Sequence, residues 1–230
     1  MQAIVIATVS GKCLVTLAAS VTAYVPQDVT VFLSGSKMIF PRHRTITSDN
    51  TSTNFGDAYN AVVQQAFQEF DEVVVCNDDI VFNPSTWKLL GEDVTFLRDK
   101  SIPLGWVSAR SDYARGLQNI RLGQGKMEWF RYETENLINM TDVIAPICSY
   151  IHKDAWVDFP PLNWYSDDVQ CLDIQKKGFQ HAISRAYVHH VGSQTCGRDA
   201  FRCINDSRPW IEKNRPELAK IWFKNSPQKL

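Results

Sequence analysis

Two adjacent carboxylates, Asp78 and Asp79, follow a run of mostly β-branched residues from Glu72 to Cys76, with Asn77 in between. The run predicts a buried strand, and open α/β sheets bind their ligands at the carboxyl ends of such strands. Because carboxylates are costly to bury unless they are paired or bound to a cation, these residues predict a divalent metal site that accepts phosphate oxygens. The alternative is a plain strand-end turn, in which Asn and Asp are common.

A second acidic pair, Asp167 and Asp168, follows Ser166, a favourable N-cap for a helix that runs to Lys177. In the first turn of a helix the macrodipole stabilises carboxylates as anions, and this suffices to explain Asp167. Asp168 is the candidate for a general base, a role that requires a carboxylate within reach of a hydroxyl group.

Two histidines in tandem, His189 and His190, end a predicted strand and precede Gly192. Histidine is a common metal ligand, and glycine lets the backbone approach a phosphate closely. Because successive side chains of a strand point to opposite faces, at most one of the two imidazoles is expected to be a ligand. The alternative is that both are structural.

A polar helix start is predicted in residues 53–60, where Asn54, Gly56 and Asn60 lie close together in the sequence. The N-terminus of a helix attracts anions and can accept a hydroxyl-rich ligand. The alternative is an ordinary helix start that Asn54 or Ser52 caps.

Hydrophobic periodicity predicts the elements that position these groups. Strands are predicted at Ala3 to Val9, Val29 to Leu33, Glu72 to Cys76, Ile102 to Ala109, Val143 to His152 and Phe179 to His189. Helices are predicted at Leu14 to Val25, Phe55 to Phe70, Pro84 onward, Ser166 to Lys177 and Pro209 to Phe223. The segments 42–54 and 110–140 show no clear period. The alternation over residues 1–100 indicates an α/β fold with a mixed, mainly parallel sheet flanked by helices.

The composition is that of an ordinary globular protein, with 230 residues, a net charge of −1, 44% hydrophobic and 21% charged residues. The sequence has no basic patch that would predict binding to nucleic acid. It also has no stretch of roughly 18 apolar residues that could span a membrane. The segment from Met1 to Val9 lacks the basic start of a signal peptide. We therefore expect a soluble, cytoplasmic protein, or one domain of a longer chain.

The order of the motifs resembles that of the GT-A glycosyltransferases, in particular the family-two-like group. The motifs are Asn54-x-Gly56, Asn77-Asp78-Asp79, Asp167-Asp168, Gly178 and His190-x-Gly192-x-x-Thr195. The resemblance spans residues 3–195 and implies a Rossmann-like fold that binds a nucleotide-diphospho-sugar. It also implies Mn²⁺ or Mg²⁺ as the cofactor.

The resemblance assigns the metal site to the first acidic motif, which is of the D-x-D type in the family. Asp79, with help from Asp78, is the implied metal contact, and Asn77 takes the place of the usual first carboxylate. His190 is implied to complete the metal shell, with His189 as the second choice.

The resemblance also assigns the catalytic base and the donor contacts. Asp168 is implied to be the base of an inverting transfer, with Asp167 beside the donor. Arg110 is expected to face the donor, and Trp164 to cover the apolar face of a sugar ring. Further aromatic candidates are Trp106, Trp129 and Tyr132.

The recognition of the nucleoside base departs from the family pattern. Relatives often end the second strand with an acidic residue, whereas this chain has Ser34 and Gly35 there. Base contacts are therefore expected from elsewhere in the sequence, and uridine is the expected base. The candidate donor contacts are Thr8, Val9 and Ser10, or Asp49 and Asn50, together with Asn54, Gly56 and Asn60.

The expected activity is the transfer of a sugar from a UDP-sugar to a hydroxyl group of a carbohydrate or glycoconjugate acceptor. We expect one GT-A domain, with a donor half at residues 1–100, an acceptor and catalytic half at 101–195 and a C-terminal helical segment at 196–230. Two alternatives use the same residues: a metal-dependent phosphohydrolase or nucleotidyltransferase, and a catalytically silent sugar-binding module on the same fold.

Overall fold

The computed structural model describes residues 1–121, 137–192 and 200–224. Within them the strands are β1 (Ala3–Ala7), β2 (Thr30–Ser34), β3 (Thr45–Ser48), β4 (Glu72–Cys76), β5 (Ile80–Phe82), β6 (Leu104–Ser111), β7 (Asn139–Thr141), β8 (Cys148–His152) and β9 (Gln180–His190). The helices are α1 (Leu14–Tyr24), α2 (Phe55–Ala66), α3 (Thr86–Asp99), α4 (Ser166–Lys176), α5 (Ala200–Asn214) and α6 (Pro216–Trp222).

The described strands form one mixed sheet in the order β3-β2-β1-β4-β8-β6-β9-β5, with β7 paired to β9. The first four strands of this order are parallel, as the alternation of strands and helices predicts. β8 then runs antiparallel between β4 and β6, and β6 is parallel to β9. The α/β fold class with a mixed sheet flanked by helices is confirmed.

Apolar side chains cover both faces of the sheet. On one face, α1 and α3 pack through residues such as Leu17 and Leu90. On the other face, α2 and α4 pack through residues such as Val62 and Ile174. Both helix layers thus fix the sheet from opposite sides and leave the carboxyl ends of β1 and β4 open at one edge.

Three short strands lie where no regular structure was predicted, and one of them is β5 at Ile80–Phe82, directly after the first acidic motif. β3 forms inside the polar segment 42–54 and pairs with β2 at the edge of the sheet, where its side chains are only partly buried. β7 has three residues and pairs with β9. Short, half-exposed strands carry little hydrophobic periodicity, and the sequence pattern therefore gives no signal for them.

The C-terminal segment differs from the single helix predicted from Pro209 to Phe223. α5 begins at Ala200 and continues through Pro209. Pro216 starts the separate helix α6, since proline fits the first helical turn. Both helices pack on a small apolar cluster of their own, which includes Leu162, Ile211 and Phe223.

Among the described residues, no helix has the length and apolar character that crossing a bilayer requires. The cytoplasmic location and the division of the chain into functional halves stay predictions.

Candidate active site

A cleft of about 1010 Å³ opens where β1 and β4 end. It is large enough for a nucleotide-sugar-sized ligand, since ordinary ligand pockets have roughly 300–1,000 Å³. Near the end of β1 and the start of α2, its lining includes Val9, Asn50, Ser52, Thr53, Asn54, Phe55 and Tyr59. Its remaining polar and aromatic lining includes Asn77, Asp78, Asp79, Asp112, Tyr113, Arg115, Asn119, Arg121, Asn163, Trp164, Tyr165, Asp167, Asp168 and His190.

The first acidic motif and His190 meet because β5 pairs with β9. In this pairing Ile80 lies opposite His190, which brings His190 Nε2 to 3.1 Å from Asp79 Oδ1. The same nitrogen lies 3.3 Å from Asn77 Nδ2. Both Asp79 and His190 are buried, so this contact forms in a protected part of the cleft.

The orientation of His190 is set by its other ring nitrogen, Nδ1, which lies 2.7 Å from the carbonyl oxygen of Tyr113. A carbonyl only accepts, so Nδ1 carries the hydrogen and Nε2 is turned toward Asp79. Burial lowers the pKa of His190, but the hydrogen bond and charge of Asp79 outweigh that effect and raise it above its ordinary value.

Asp79 and His190 could together hold a cation, because a carboxylate and an imidazole are both metal ligands and Asp79 Oδ1 lies 3.1 Å from His190 Nε2. Within the described part of the chain, no three His, Cys, Asp or Glu side chains gather as a ready-made metal cage. Mg²⁺ sites on phosphates commonly use only one or two protein carboxylates, and Asp79 supplies one such group.

Asp78 is turned to a different partner. Its carboxylate accepts a hydrogen bond from the hydroxyl of Thr8, which in turn accepts from the backbone N–H of Gly11 at 2.9 Å. Burial raises the pKa of Asp78, and the bond from Thr8 opposes the rise. Thr8 thus lies behind the cleft and anchors the loop after β1 to the acidic motif.

The second acidic pair shares one guanidinium group. Arg115 Nη2 lies 2.5 Å from Asp167 Oδ2, and Arg115 Nη1 donates to Asp168. Burial raises the pKa of Asp167 to about 6, although the charge of Arg115 acts against it. Burial lowers the pKa of Arg115, but Asp167 and Asp168 outweigh that effect and raise it. The three groups form a charged cluster on the wall of the cleft.

Arg110 does not take the position expected of it. It is 1% exposed and donates to the carbonyl oxygens of Leu117, at 3.2 Å, and Leu137, at 2.7 Å. Arg115, five residues later along the chain, lines the cleft instead. The sequence pattern missed Arg115 because the segment 110–140 has no period and no motif to mark it.

Asp112 is a second residue that the sequence pattern missed. Its carboxylate accepts from the backbone N–H of His190 at 2.9 Å and contacts His189 Nδ1 at 2.6 Å. Arg121 contributes a third contact at 3.3 Å. His189 therefore faces Asp112 and not Asp79, as expected from the opposite directions of successive strand side chains.

The polar residues and the glycine at the start of α2 mainly make contacts that hold the fold together. Asn54 caps the helix by accepting from the backbone N–H of Asp57 at 2.8 Å, and it also lines the cleft. Asn60 binds the backbone of Phe159 through both amide atoms, at 2.8 and 2.9 Å. A Cβ atom on Gly56 would lie 1.9 Å from the carbonyl oxygen of Pro160. Gly56 therefore permits close packing against the segment before α4.

Of the candidates for base recognition, Val9 and Asn50 line the cleft. Asn50 is held in place because its Oδ1 accepts from the backbone N–H of Ser52 at 3.0 Å. Ser10 is exposed, and Asp49 pairs at the surface with Lys37 at 2.7 Å.

The aromatic candidates differ in whether they line the cleft or lie in the core. Trp164 lines the cleft next to Tyr165, whereas Trp106 is fully buried and donates to Gln170 at 3.0 Å. Ser166 begins α4 but is not its cap: the cap is Tyr165, and Ser166 Oγ donates to Pro160. The remaining sequence candidates, Trp129, Tyr132 and Thr195, lie outside the described residues.

The fold is a GT-A-like glycosyltransferase fold. Among solved structures, the chain is similar to TarS 1–349 of S. aureus, with a TM-score of 0.57 and 14% identity over 92% of this chain. It is also similar to TarS 1–349 with UDP-GlcNAc (TM-score 0.53, 14% identity, 82% of this chain) and with UDP (0.55, 15%, 82%).

The chain spans 66% of the TarS 1–349 fragment in the first of these structures, and 58% and 60% in the two complexes. No protein-family profile and no curated protein matches the sequence. At this level of identity the comparison concerns the fold.

Proposed function

We propose that this chain is a metal-dependent, inverting glycosyltransferase that transfers a sugar from a UDP-sugar to an acceptor hydroxyl group. One observation carries the proposal: the Asp79–His190 pair and the Asp167–Asp168 pair line the same cleft. The similarity of the fold to TarS, which has been crystallised with UDP-GlcNAc and with UDP, supports a nucleotide-sugar donor.

In this proposal Asp168 is the general base. One of its carboxylate oxygens is engaged by Arg115, and the other is available to accept the proton of the acceptor hydroxyl. As that proton moves to Asp168, the acceptor oxygen bonds to the anomeric carbon, and the bond from this carbon to UDP breaks. Arg115 keeps Asp168 oriented through this contact.

Asp79 and His190 would hold the cation against the diphosphate. Bound there, Mn²⁺ or Mg²⁺ supplies positive charge that offsets the negative charge of the departing UDP. Asn77 lies beside this pair, with its amide nitrogen 3.3 Å from Nε2.

The donor side of the cleft provides the surroundings for the nucleoside. Val9 and Phe55 offer apolar surface, and Asn50 offers a polar group at the end of β1. Trp164 lies beside the second acidic pair in sequence and lines the cleft, and in this position its ring can cover one face of the transferred sugar.

The test is a panel of UDP-sugars incubated with the protein, with Mn²⁺ or with chelator, in which released UDP and released phosphate are measured in parallel. Metal-dependent UDP release that increases with an acceptor supports the proposal. Phosphate release would instead favour a phosphohydrolase. Binding of UDP-sugars without release of either product would favour a silent sugar-binding module.

A further inference from the structure

Tyr165 has a backbone conformation that a bulky residue rarely adopts. It lies directly before α4 with φ 64° and ψ 4°, and no side chain caps the helix there. Such a left-handed conformation persists in a non-glycine residue only where the surroundings hold it. Asp167 and Asp168 follow within the next turn, so whatever holds Tyr165 also holds the second acidic pair.

The surroundings of Tyr165 come from the end of the chain. The ring of Trp222 in α6 stacks on the ring of Tyr165, with 4.7 Å between centroids and 11° between planes. Phe223 meets the same ring edge-on at 5.8 Å. Leu162, three residues before Tyr165, is buried in the same small cluster.

An ion pair forms a second contact between the two C-terminal helices and the region of α4, in addition to the stacking on Tyr165. Arg215, between α5 and α6, lies 2.6 Å from Asp173 in α4. On its opposite side, the segment before α4 is bound to the start of α2, where the backbone N–H of Phe55 donates to Asn163 at 2.8 Å. The segment that carries Trp164 and Tyr165 is thus fixed between the donor side of the cleft and the C-terminal helices.

We propose that Trp222 is a positioning residue that acts through Tyr165 to hold the first turn of α4, and with it Asp167 and Asp168, in their working geometry. The inference rests on the proposed function for its catalytic consequence. It does not require Trp222 to touch a substrate, and it gives the C-terminal helices a role in the active site.

The primary measurement is hydrogen–deuterium exchange of the full chain, followed in peptides that cover residues 164–172. Trp222→Ala is expected to speed exchange there at least tenfold and to leave β1 and β4 unchanged. Ile221→Ala is the matched control, because its side chain is the neighbour in α6 but is 71% exposed. It should leave exchange at native rates.

Turnover provides the second readout. Trp222→Ala is expected to lower kcat by roughly 10- to 100-fold, since a small displacement of a catalytic group has effects of this size, while KM for the donor stays within twofold. Trp222→Phe retains a stacking ring and should recover most of the rate. In a Tyr165→Gly background, Trp222→Ala should have no further effect on kcat, because the contact through which it acts is absent.

Native exchange in a folded Trp222→Ala protein would overturn the proposal, as would additive effects of the two substitutions. If Trp222→Ala does not fold, Trp222→Leu, which retains apolar bulk but has no ring to stack on Tyr165, replaces it in the same exchange measurement: faster exchange in Trp222→Leu than in Ile221→Ala supports the proposal, and equal rates overturn it. If the native protein releases no UDP from any donor, the proposed function fails, whereas the exchange measurement still tests the role of Trp222.

Discussion

Asp168 is the residue on which the proposed reaction most depends. It lines the cleft, and its carboxylate is held by the guanidinium group of Arg115. An amide in its place cannot accept a proton. We expect Asp168→Asn to lower kcat by about 10²–10⁴-fold, the usual range for a general base, and to leave the affinity for UDP within twofold. Steady-state rates and calorimetry measure the two quantities. Native turnover by this variant would remove Asp168 from the role of base.

Arg115 gives the active site a predicted pH dependence. The pKa of Asp167 is about 6, so as the pH falls through this value Asp167 becomes protonated and Arg115 loses one of its two carboxylate partners. We expect kcat to fall on this acidic side. Because the charge of Arg115 lowers the pKa of Asp167, Arg115→Met should move the acidic limb of the rate profile to higher pH.

Arg115→Lys is the matched control for this pH profile, since it retains the positive charge but not the planar fork that reaches two carboxylates. Its acidic limb should stay close to that of the native protein even if its rate is lower. Superimposable profiles for the Met and native proteins would show that Arg115 does not control the ionisation.

Individual residues differ in how far the sequence predicts them. Asp79, Asp168 and His190 are marked by motifs in a fixed order, and all three line the cleft. Arg115 and Asp112 lie in an aperiodic segment, and their partners are distant in the chain: Asp168 for Arg115 and His190 for Asp112. A contact between residues so far apart leaves no local trace in one sequence.

At the scale of the elements, the buried strands and long helices are predictable because their side chains repeat with a clear period. β1, β4 and α2 lie where the periodicity predicts them. β3, β5 and β7 are three or four residues long and too short to show a period. β5 nevertheless decides the position of His190, because its pairing with β9 brings His190 beside Asp79.

The contact between α2 and the segment before α4 gives a prediction at this scale. A Cβ atom on Gly56 would collide with the carbonyl oxygen of Pro160 at 1.9 Å. We expect Gly56→Ala to lower the free energy of unfolding by about 1–3 kcal/mol, as overpacking does, and to weaken turnover more than the change in stability explains. Chemical denaturation and kcat measure the two effects.

Gly91→Ala is the control for Gly56→Ala, because the nearest atom to a Cβ there is the end of the Met1 side chain at 3.1 Å. That flexible group can move aside, so stability should change little. A loss of stability as large in Gly91→Ala as in Gly56→Ala would show that the contact with Pro160 is not the cause.

For the whole molecule, donor binding should appear as a gain in stability. A ligand at 100 times its Kd stabilises the folded state by about 2.7 kcal/mol, which for a chain of this size raises Tm by about 5–11 °C. We expect such a shift with UDP and Mn²⁺ together in a thermal-shift assay, and a much smaller one when chelator replaces Mn²⁺.

His190→Ala should abolish the metal-dependent part of this shift, because it removes the Nε2 atom that faces Asp79. His189→Ala is the matched control: it removes the neighbouring imidazole, which contacts Asp112, and should retain the metal-dependent shift. Equal shifts in the two variants would contradict the assignment of His190 as a ligand.

The pairing of β5 with β9 also has a consequence for the order in which parts of the sheet form during folding. Asn77 and His190 are 113 residues apart in the sequence, and residues 188–190 complete the pairing with β5. A growing chain on the ribosome therefore holds its first acidic motif long before the partner histidine is made, and contacts between such distant parts of a chain form slowly. We therefore expect the contact between Asp79 and His190 to be among the last parts of the sheet to assemble.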